Sequence, residues 1–191
     1  MYKAEFNEAL NRTERLGLSK PSITMTTEMF LDQKTLNALP QAIYKKMGDI
    51  SVDDLVAQCL SIHLKIKPVI EEAIGCKAFY TIGWVSYEKN SIFQQTEESL
   101  ARMLKNGITG SSVSLHAWLT LPSMEILDFS LPTTYAKIHK KKDGIGGAIT
   151  MHPSKLTGGI MYHPMIIGEE FLLKTGAMRF TLHFDGVNMT I

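Results

Sequence analysis

The chain has 191 residues, of which 45% are apolar and 20% are charged, and its formal net charge is +1. This is the composition of an ordinary globular domain that can bury its own core, and it predicts neither a nucleic-acid partner nor a membrane-surface partner. Residues 1–6 contain no apolar signal core, and no apolar run approaches the length of a membrane span. We therefore expect a protein that is cytoplasmic or is exported without a cleaved signal peptide.

Two cysteines, Cys59 and Cys76, occur in the chain. They are too few for a disulfide framework, so we expect free thiols in a reducing compartment. The glycine-rich stretch at residues 144–147 lacks the Lys-Ser/Thr pair of a phosphate-binding loop and predicts a turn. No cofactor is therefore expected.

The N-terminal part of the chain predicts helices. Each of the first two ends at a glycine: residues 3–16 before Gly17 and residues 35–47 before Gly48. Pro40 is expected to kink or split the second helix. We interpret residues 1–50 as a helical N-terminal extension to a core formed by residues 51–191, with both parts in one compact domain overall.

The middle of the chain predicts a long helix. The sequence at residues 51–54 is similar to a capping box, and an apolar helical pattern follows it as far as residue 73. Pro68 predicts a kink or a restart near Lys67. Gly75 is expected to end the helix.

The second half of the chain predicts mainly strands. They are expected over residues 77–87, 112–121, 125–131, 145–151, 159–163 and 178–184, with one further helix over residues 95–106. Helices that precede strands in this way predict an α+β fold in which helices pack on an antiparallel sheet.

His116 and Asp128 lie on two predicted strands that flank a three-residue turn at residues 122–124. In the register that pairs Trp118 with Asp128, His116 lies diagonal to Asp128, about 7–8 Å away between backbones and within side-chain reach. A slip of one residue would turn apolar side chains out beside His116. The apolar pattern therefore favours a contact between His116 and Asp128. The alternative is a half-buried strand histidine with a structural hydrogen-bond partner.

Cys59 lies upstream of this hairpin and adds the third residue type of a thiol catalyst. A thiol must become a thiolate to attack a carbonyl. A nearby imidazole takes the thiol proton, and a carboxylate holds the imidazole in its tautomer and orientation. The order cysteine, histidine, aspartate is therefore what a thiol hydrolase or acyltransferase needs.

The hairpin resembles part of a known family. His-Ala-Trp at residues 116–118, followed by an apolar strand, a turn and Leu-Asp at residues 127–128, resembles the histidine and aspartate strands of transglutaminase-like cysteine enzymes. In that family a cysteine opens an upstream helix that leads into a glycine and an apolar strand. Cys59, Gly75 and the strand that follows are similar to that arrangement, so the resemblance covers residues 59–131.

The resemblance implies a papain-like α+β fold, with Cys59 as the nucleophile, His116 as base and acid, and Asp128 as the residue that orients the imidazole. The family usually has a glycine just before its cysteine, whereas Ala57 and Gln58 stand there in this chain. Gln58 is a candidate oxyanion donor.

Catalysis by Cys59 requires a helix that begins close to this residue. If one helix ran unbroken from Val52, Cys59 would lie in its second or third turn, too far from the N-terminal amides for them to stabilise a thiolate or an oxyanion. We therefore expect that residues 51–57 are separate and that a helix restarts near Cys59.

Two other roles are open for the cysteines. Cys76, at the junction between helix and strand, is an alternative nucleophile, and either cysteine could be a buried apolar residue. Cys59 and His63 share a helix face and could form half of a zinc site. Because the remaining histidines lack ligand spacing, we expect no metal site.

Three aromatic residues are candidate substrate contacts. Trp118 lies two residues after His116, on the same face of the predicted strand. Tyr80 and Trp84 share a face of the strand predicted over residues 77–87. Core packing is the alternative for these side chains.

Taken together, these features predict a cysteine-dependent hydrolase or acyltransferase that acts on an amide in a protein or peptide, as a protease, amidase, deamidase or transglutaminase does. One alternative is a non-catalytic binding domain of the same fold, in which residues 1–50 form a docking surface or a dimer element. Another is a thiol peptidase of the cell-wall amidase type. The size and the absence of a signal also fit a secreted bacterial effector.

Overall fold

The chain begins with helices and then alternates strands with short helices in the computed structural model, which describes residues 1–88, 90–108, 114–177, 181–184 and 187–190. The helices are α1 (Tyr2–Arg15), α2 (Gln33–Met47), α3 (Cys59–Ile74), α4 (Glu97–Asn106), α5 (Leu131–Ile138) and α6 (Glu170–Thr175). The strands are β1 (Phe79–Tyr87), β2 (Asn90–Ile92), β3 (His116–Thr120), β4 (Ile126–Asp128), β5 (Ile149–Met151), β6 (Ile160–Ile167), β7 (Thr181–Phe184) and β8 (Val187–Thr190).

An antiparallel sheet built around β1 organises the fold. One edge of β1 pairs with β3 through its first half and with β2 through its last residues. The other edge pairs with β6, and β4 and β5 extend the sheet beyond β3. Strands β7 and β8 form a separate two-stranded sheet. The expected α+β class with helices on an antiparallel sheet is confirmed.

Helices cover both faces of the main sheet. Apolar residues of α1 pack with Trp118 and Tyr162 in one hydrophobic cluster, and α1 lies against β6. Apolar residues of α2 and α3 pack with Ala117 and Leu119 in a second cluster on the opposite face. The helices of the segment interpreted as an N-terminal extension thus complete the two halves of the hydrophobic core.

The two predicted N-terminal helices are confirmed. Helix α1 is followed by Gly17, and α2 ends at Gly48, which has a positive φ of 72°. Asp32 directly precedes α2 as its N-cap, and its carboxylate accepts from the backbone N–H of Thr35. Pro40 lies inside α2, which continues through it without a break.

Helix α3 begins at Cys59, so the expected restart of a helix at this residue is confirmed. Residues 53–57 form turns, and the hydrogen bonds between Ser51 and Asp54 close such a turn. The prediction that a helix starts at residues 51–54 is therefore wrong. Of the kink or restart predicted near Lys67, the restart is wrong, because α3 runs through Pro68 and ends at Ile74.

The predicted strands are partly confirmed. The strand expected over residues 125–131 is only three residues long, because the chain turns into α5 at Leu131. A helix was not expected there. The expected strand over residues 112–121 begins at His116, and its residues 112 and 113 lie outside the described part of the chain.

No helix among the described residues is both long enough and apolar enough to span a membrane.

Candidate active site

Cys59 is the first residue of α3, and its side chain is 7% exposed. Gln58 is the N-cap residue and makes no side-chain capping hydrogen bond. The first amides of a helix have no intrahelical acceptors and carry the positive end of the helix dipole. Cys59 therefore lies where a negative sulfur or oxygen atom is favoured.

Ala57 has a positive φ of 56°, in the left-handed region that favours glycine. It lies two residues before Cys59, close to where the resembling family has its glycine. The backbone N–H of Ala57 donates to Thr134 Oγ1 at 3.2 Å. This sharp bend separates the preceding turns from α3 and allows the helix to start at Cys59.

His116 and Asp128 are brought together by the predicted strand register. Leu119 pairs with Leu127, and the same register sets Trp118 opposite Asp128. The Nε2 atom of His116 then lies 2.6 Å from Oδ2 of Asp128. The predicted contact between the imidazole and the carboxylate is confirmed.

Asp128 is fully buried, and both of its oxygens accept hydrogen bonds. Oδ2 accepts from His116 Nε2 and from the phenolic O–H of Tyr162 at 2.8 Å. Oδ1 accepts from the backbone N–H groups of Ser130 and Leu131, each at 3.0 Å, and from the Ser130 hydroxyl at 3.2 Å. This set of donors holds the carboxylate in its ionised form and in one orientation.

The buried His116–Asp128 pair favours the charged form of both groups. Burial by itself would lower the pKa of His116, but the Asp128 carboxylate and the Cys59 sulfur outweigh burial and raise that pKa to about 10. Burial would raise the pKa of Asp128, but the charge and hydrogen bond of His116 hold it well below its usual range. An imidazolium is thus favoured next to the Cys59 sulfur at neutral pH.

The Cys59 thiol and the His116 imidazole line one small cavity of about 50 Å³. The Nε2 atom of His116 is taken by Asp128, which leaves Nδ1 for the sulfur. The thiol donates to the backbone carbonyl of Leu115 at 3.5 Å. The cavity is thus shared by Cys59 and His116, with Asp128 behind the imidazole.

The cavity is small, and Phe93 forms part of its wall. Phe93 stacks on the His116 ring with centroids 5.4 Å apart, and it has a positive φ of 65°. The remaining lining residues are Ala57, Leu115, Leu131 and Thr134. Sites for small ligands usually have volumes of about 300 Å³ or more, so Phe93 or the turns before Cys59 must move before a substrate can reach the sulfur.

His63 lies one turn after Cys59 and joins α3 to the end of β4. Its Nδ1 atom donates to the backbone carbonyl of Cys59 at 2.8 Å, and Nε2 accepts from the backbone N–H of Phe129 at 2.9 Å. Burial lowers the pKa of His63 to about 4, against the smaller opposing effect of Asp128. His63 is therefore a neutral brace between the elements that carry Cys59 and Asp128.

Metal binding is the other hypothesis for Cys59 and His63. Both ring nitrogens of His63 are engaged by the backbone. Among the residues that the structure describes, no group of three or more histidine, cysteine or acidic side chains is arranged to hold a metal ion.

The structure places the four further candidates outside this cavity. Gln58 is exposed, and its Oε1 atom accepts from Ser61 on the helix surface. Tyr80 is 1% exposed and donates to the carbonyl of Leu60. Its position is in the core, not in a substrate cleft.

Trp118 and Trp84 also have structural partners. Trp118 is fully buried, and its Nε1 atom donates to the Tyr2 hydroxyl at 2.8 Å. Its ring supports the His116 imidazole from behind, with centroids 5.8 Å apart. Trp84 is half-buried and stacks on the His163 ring at 3.8 Å. Neither tryptophan lines the cavity of Cys59.

Cys76, the alternative nucleophile, is a half-buried free thiol beyond the end of α3. Burial raises its pKa to about 11, and the carboxylates of Glu125 and Glu71 add to the effect. These surroundings keep Cys76 as an unreactive thiol at neutral pH.

Sequence reasoning missed Tyr162, Phe93 and the bracing role of His63. Tyr162 lies 34 positions after Asp128 on a distant strand, and nothing in its local pattern points to a carboxylate. The i,i+4 spacing of Cys59 and His63 was a usable signal, since it placed both on one helix face.

No family model matches this chain, and no significant match was found among curated proteins or solved structures. The resemblance to transglutaminase-like enzymes stays a prediction from the sequence.

Proposed function

We propose that this protein is a cysteine-dependent hydrolase or acyltransferase that acts on an amide of a protein or peptide, on a papain-like, transglutaminase-like core. The observation that carries the proposal is the arrangement of three side chains. Cys59 begins a helix and shares a cavity with His116, and the far nitrogen of His116 is held 2.6 Å from Asp128. Nucleophile, base and orienting carboxylate follow one another in the order that thiol catalysis requires, and the base and the carboxylate are in contact.

In the proposed reaction the reactive form is an ion pair, in which the proton of the Cys59 thiol resides on Nδ1 of His116 and the Asp128 carboxylate favours the resulting imidazolium. The thiolate attacks the amide carbonyl carbon, and the C–N bond breaks as the imidazolium gives its proton to the leaving amine. This leaves a thioester on Cys59. Water then attacks the thioester in hydrolysis, or a second amine attacks it in acyl transfer, and His116 takes the proton of that nucleophile. The C–S bond breaks, and Cys59 leaves as a thiolate beside the imidazolium. Asp128 stays ionised throughout and stabilises the imidazolium.

The start of α3 supplies candidate donors for the oxyanion. The tetrahedral intermediate places a negative oxygen near the sulfur. The backbone N–H groups of Cys59 and Leu60 are at the helix N-terminus, where they have no helical acceptor. In this arrangement the main chain takes the role expected of the Gln58 side chain.

A non-catalytic binding domain is the second candidate. The observation that favours it is burial: Cys59 is 7% exposed, His116 is 1% exposed, and the cavity between them holds about 50 Å³. A buried His–Asp pair of this kind can also serve to hold two strands, here β3 and β4, together.

Labelling of the thiol distinguishes the two candidates. The rate of iodoacetamide labelling of Cys59 is measured against pH by peptide mass spectrometry, with His139→Gln as a control at an exposed histidine. A catalytic thiol labels readily near pH 6, and His116→Gln slows that labelling by about tenfold or more. Labelling that occurs only after unfolding would reject the enzyme and favour the binding domain.

A further inference from the structure

A cluster of four lysines lies at the end of α5, the helix whose first turn lines the cavity of Cys59. The lysine cluster consists of Lys137, Lys140, Lys141 and Lys142, and all four side chains are exposed. Asp143, which follows directly, is the acidic residue nearest to it in sequence. In the described part of the chain, lysines 20, 46, 67 and 174 form ion pairs, whereas those of the cluster form none.

Helix α5 connects the cavity to the lysine cluster. Leu131 and Thr134, in its first turn, line the cavity. Lys137 lies three residues after Thr134, so the two side chains are neighbours on the helix surface. The rise of about 1.5 Å per residue separates them by roughly 4.5 Å along the axis. The positive charge therefore begins about one helical turn from the cavity wall.

Aromatic side chains pack against one lysine of the cluster and against each other. Tyr135 packs edge-on against Tyr87 at 5.4 Å and lies 4.2 Å from the His139 ring. The ammonium group of Lys141 lies 5.2 Å from the centroid of the Tyr135 ring. A cation held over an aromatic face is restricted in its motion. The ammonium group of Lys141 is thus held beside Tyr135, which directly follows the cavity residue Thr134.

The chain just before Cys59 carries mostly the other charge. Gln58, which directly precedes Cys59, lines a groove with Asp49, Asp53 and Asp54, and one lysine, Lys65, also lines it. A long polyanion, such as a nucleic acid or an anionic membrane, that lay across the cavity would meet these carboxylates. A peptide can present acidic side chains on the α5 side alone.

We propose that the lysine cluster binds an acidic segment of the peptide substrate next to the reacting amide. This inference rests on the proposed function of Cys59 and assigns its substrate class: an amide flanked by aspartate or glutamate residues. Charged surfaces of this kind raise association rates by about tenfold or more at low salt, and high salt screens them.

The first test compares two chloroacetyl-capped peptides that differ at three positions only. These positions are glutamate in the acidic peptide and glutamine in the neutral peptide. Alkylation of Cys59 is expected to be about tenfold faster with the acidic peptide at low salt. The triple change Lys140→Gln, Lys141→Gln and Lys142→Gln should reduce this ratio to about twofold or less. The matched control Lys34→Gln, Lys45→Gln and Lys105→Gln removes the same charge from exposed positions elsewhere and should leave the ratio unchanged.

The second test measures binding without thiol chemistry. Fluorescence anisotropy follows a fluorescein-labelled acidic peptide bound to the Cys59→Ser protein, with the same two triple variants. Equal alkylation rates for both peptides would overturn the substrate class and leave the proposed function intact. If neither peptide alkylates Cys59 although the cluster binds the acidic peptide, the proposed function fails instead. Stronger binding of an oligothymidylate or of phosphatidylserine vesicles at these lysines, without binding of the acidic peptide, would also overturn the proposal.

Discussion

Tyr162 donates its phenolic O–H to Oδ2 of Asp128 at 2.8 Å, and this is the same oxygen that accepts from His116. Tyr162 comes from β6, whereas Asp128 ends β4 and His116 begins β3. One carboxylate oxygen therefore connects three strands of the sheet. We infer that Tyr162 is a positioning residue, because it fixes the oxygen that holds the imidazole.

Tyr162→Phe tests this role while keeping the ring that packs edge-on against Trp118 at 4.9 Å. Loss of a hydrogen bond to a buried charged group is expected to cost about 1.5–3 kcal/mol of stability in urea unfolding. With one hydrogen-bond donor fewer, the pKa of Asp128 should rise. As the pH is lowered, labelling of Cys59 should therefore be lost at a higher pH in the variant than in the unchanged protein. Tyr44→Phe, at an exposed tyrosine, is the control. If the rate of Cys59 labelling depended on acidic pH in the same way in Tyr162→Phe as in the unchanged protein, the role of Tyr162 would be purely structural.

His63 makes stability depend on pH below neutrality. Its pKa is about 4 in the folded protein and about 6.5 when unfolded. As pH falls from about 6.5 to 4, the unfolded state takes up a proton that the folded state refuses, so stability is lost through this window. The loss amounts to about 3 kcal/mol.

His63→Gln should remove that pH dependence, because glutamine has no proton to take up. Urea unfolding at a series of pH values between 4 and 7 (roughly the window set by the two pKa values) measures the effect. His139→Gln, at an exposed histidine, should keep the full slope. The same slope in the two variants would show that another group causes the loss.

Cys76 should react only in alkali. With a pKa of about 11, Cys76 has a small thiolate fraction at neutral pH. This fraction increases about tenfold for each unit by which the pH is raised, until the pH reaches the pKa. Peptide mass spectrometry of iodoacetamide-treated native protein should show Cys76 labelling rise towards pH 11, and unfolded protein should label it at a lower pH. Rapid labelling of Cys76 near neutrality would make it the reactive thiol and remove Cys59 from that role.

Phe93 should control access to the thiol. Phe93→Ala removes the ring that stacks on His116 and opens the cavity, so labelling of Cys59 should accelerate several-fold. Truncation of a half-buried aromatic side chain should cost about 1–3 kcal/mol in unfolding, less than for a fully buried one. Phe30→Ala, at a half-buried phenylalanine outside the cavity, should be destabilised without faster labelling. Equal acceleration in both variants would mean that general loosening admits the reagent.

The alternation of side chains along the hairpin was enough to predict the contact between His116 and Asp128. A one-residue slip would have turned apolar side chains towards the imidazole, so the burial of apolar surface selects one register. The ends of α1, α2 and α3 were similarly predictable, because glycine after each helix favours termination there. These features depend on neighbours within a few residues or across one turn.

Helix α5 and the start of α3 show where local patterns stop being sufficient. After Asp128 the sequence predicted a continued strand, but Asp128 Oδ1 accepts from the amides of Ser130 and Leu131 and turns the chain into a helix. The apparent capping box at residues 51–54 closes only a turn, because Ala57 bends the chain through a left-handed conformation. At α5 the Asp128 side chain accepts from amides two and three residues on, an arrangement that competes with strand formation and that the alternating pattern does not reveal. At α3 the backbone N–H of Ala57 donates to the distant residue Thr134.

Periodicity and short-range sterics were sufficient to predict the class of fold, the hairpin register and the residue types that can perform thiol chemistry. Which side chains share the cavity depends instead on the packing of the complete chain. This packing buried Trp118 and Tyr80 because helices cover both faces of the sheet, and it brought Tyr162 to Asp128 from a distant strand. Which surfaces meet depends on how the whole chain packs, and that is set by the summed burial of many side chains rather than by any local pattern.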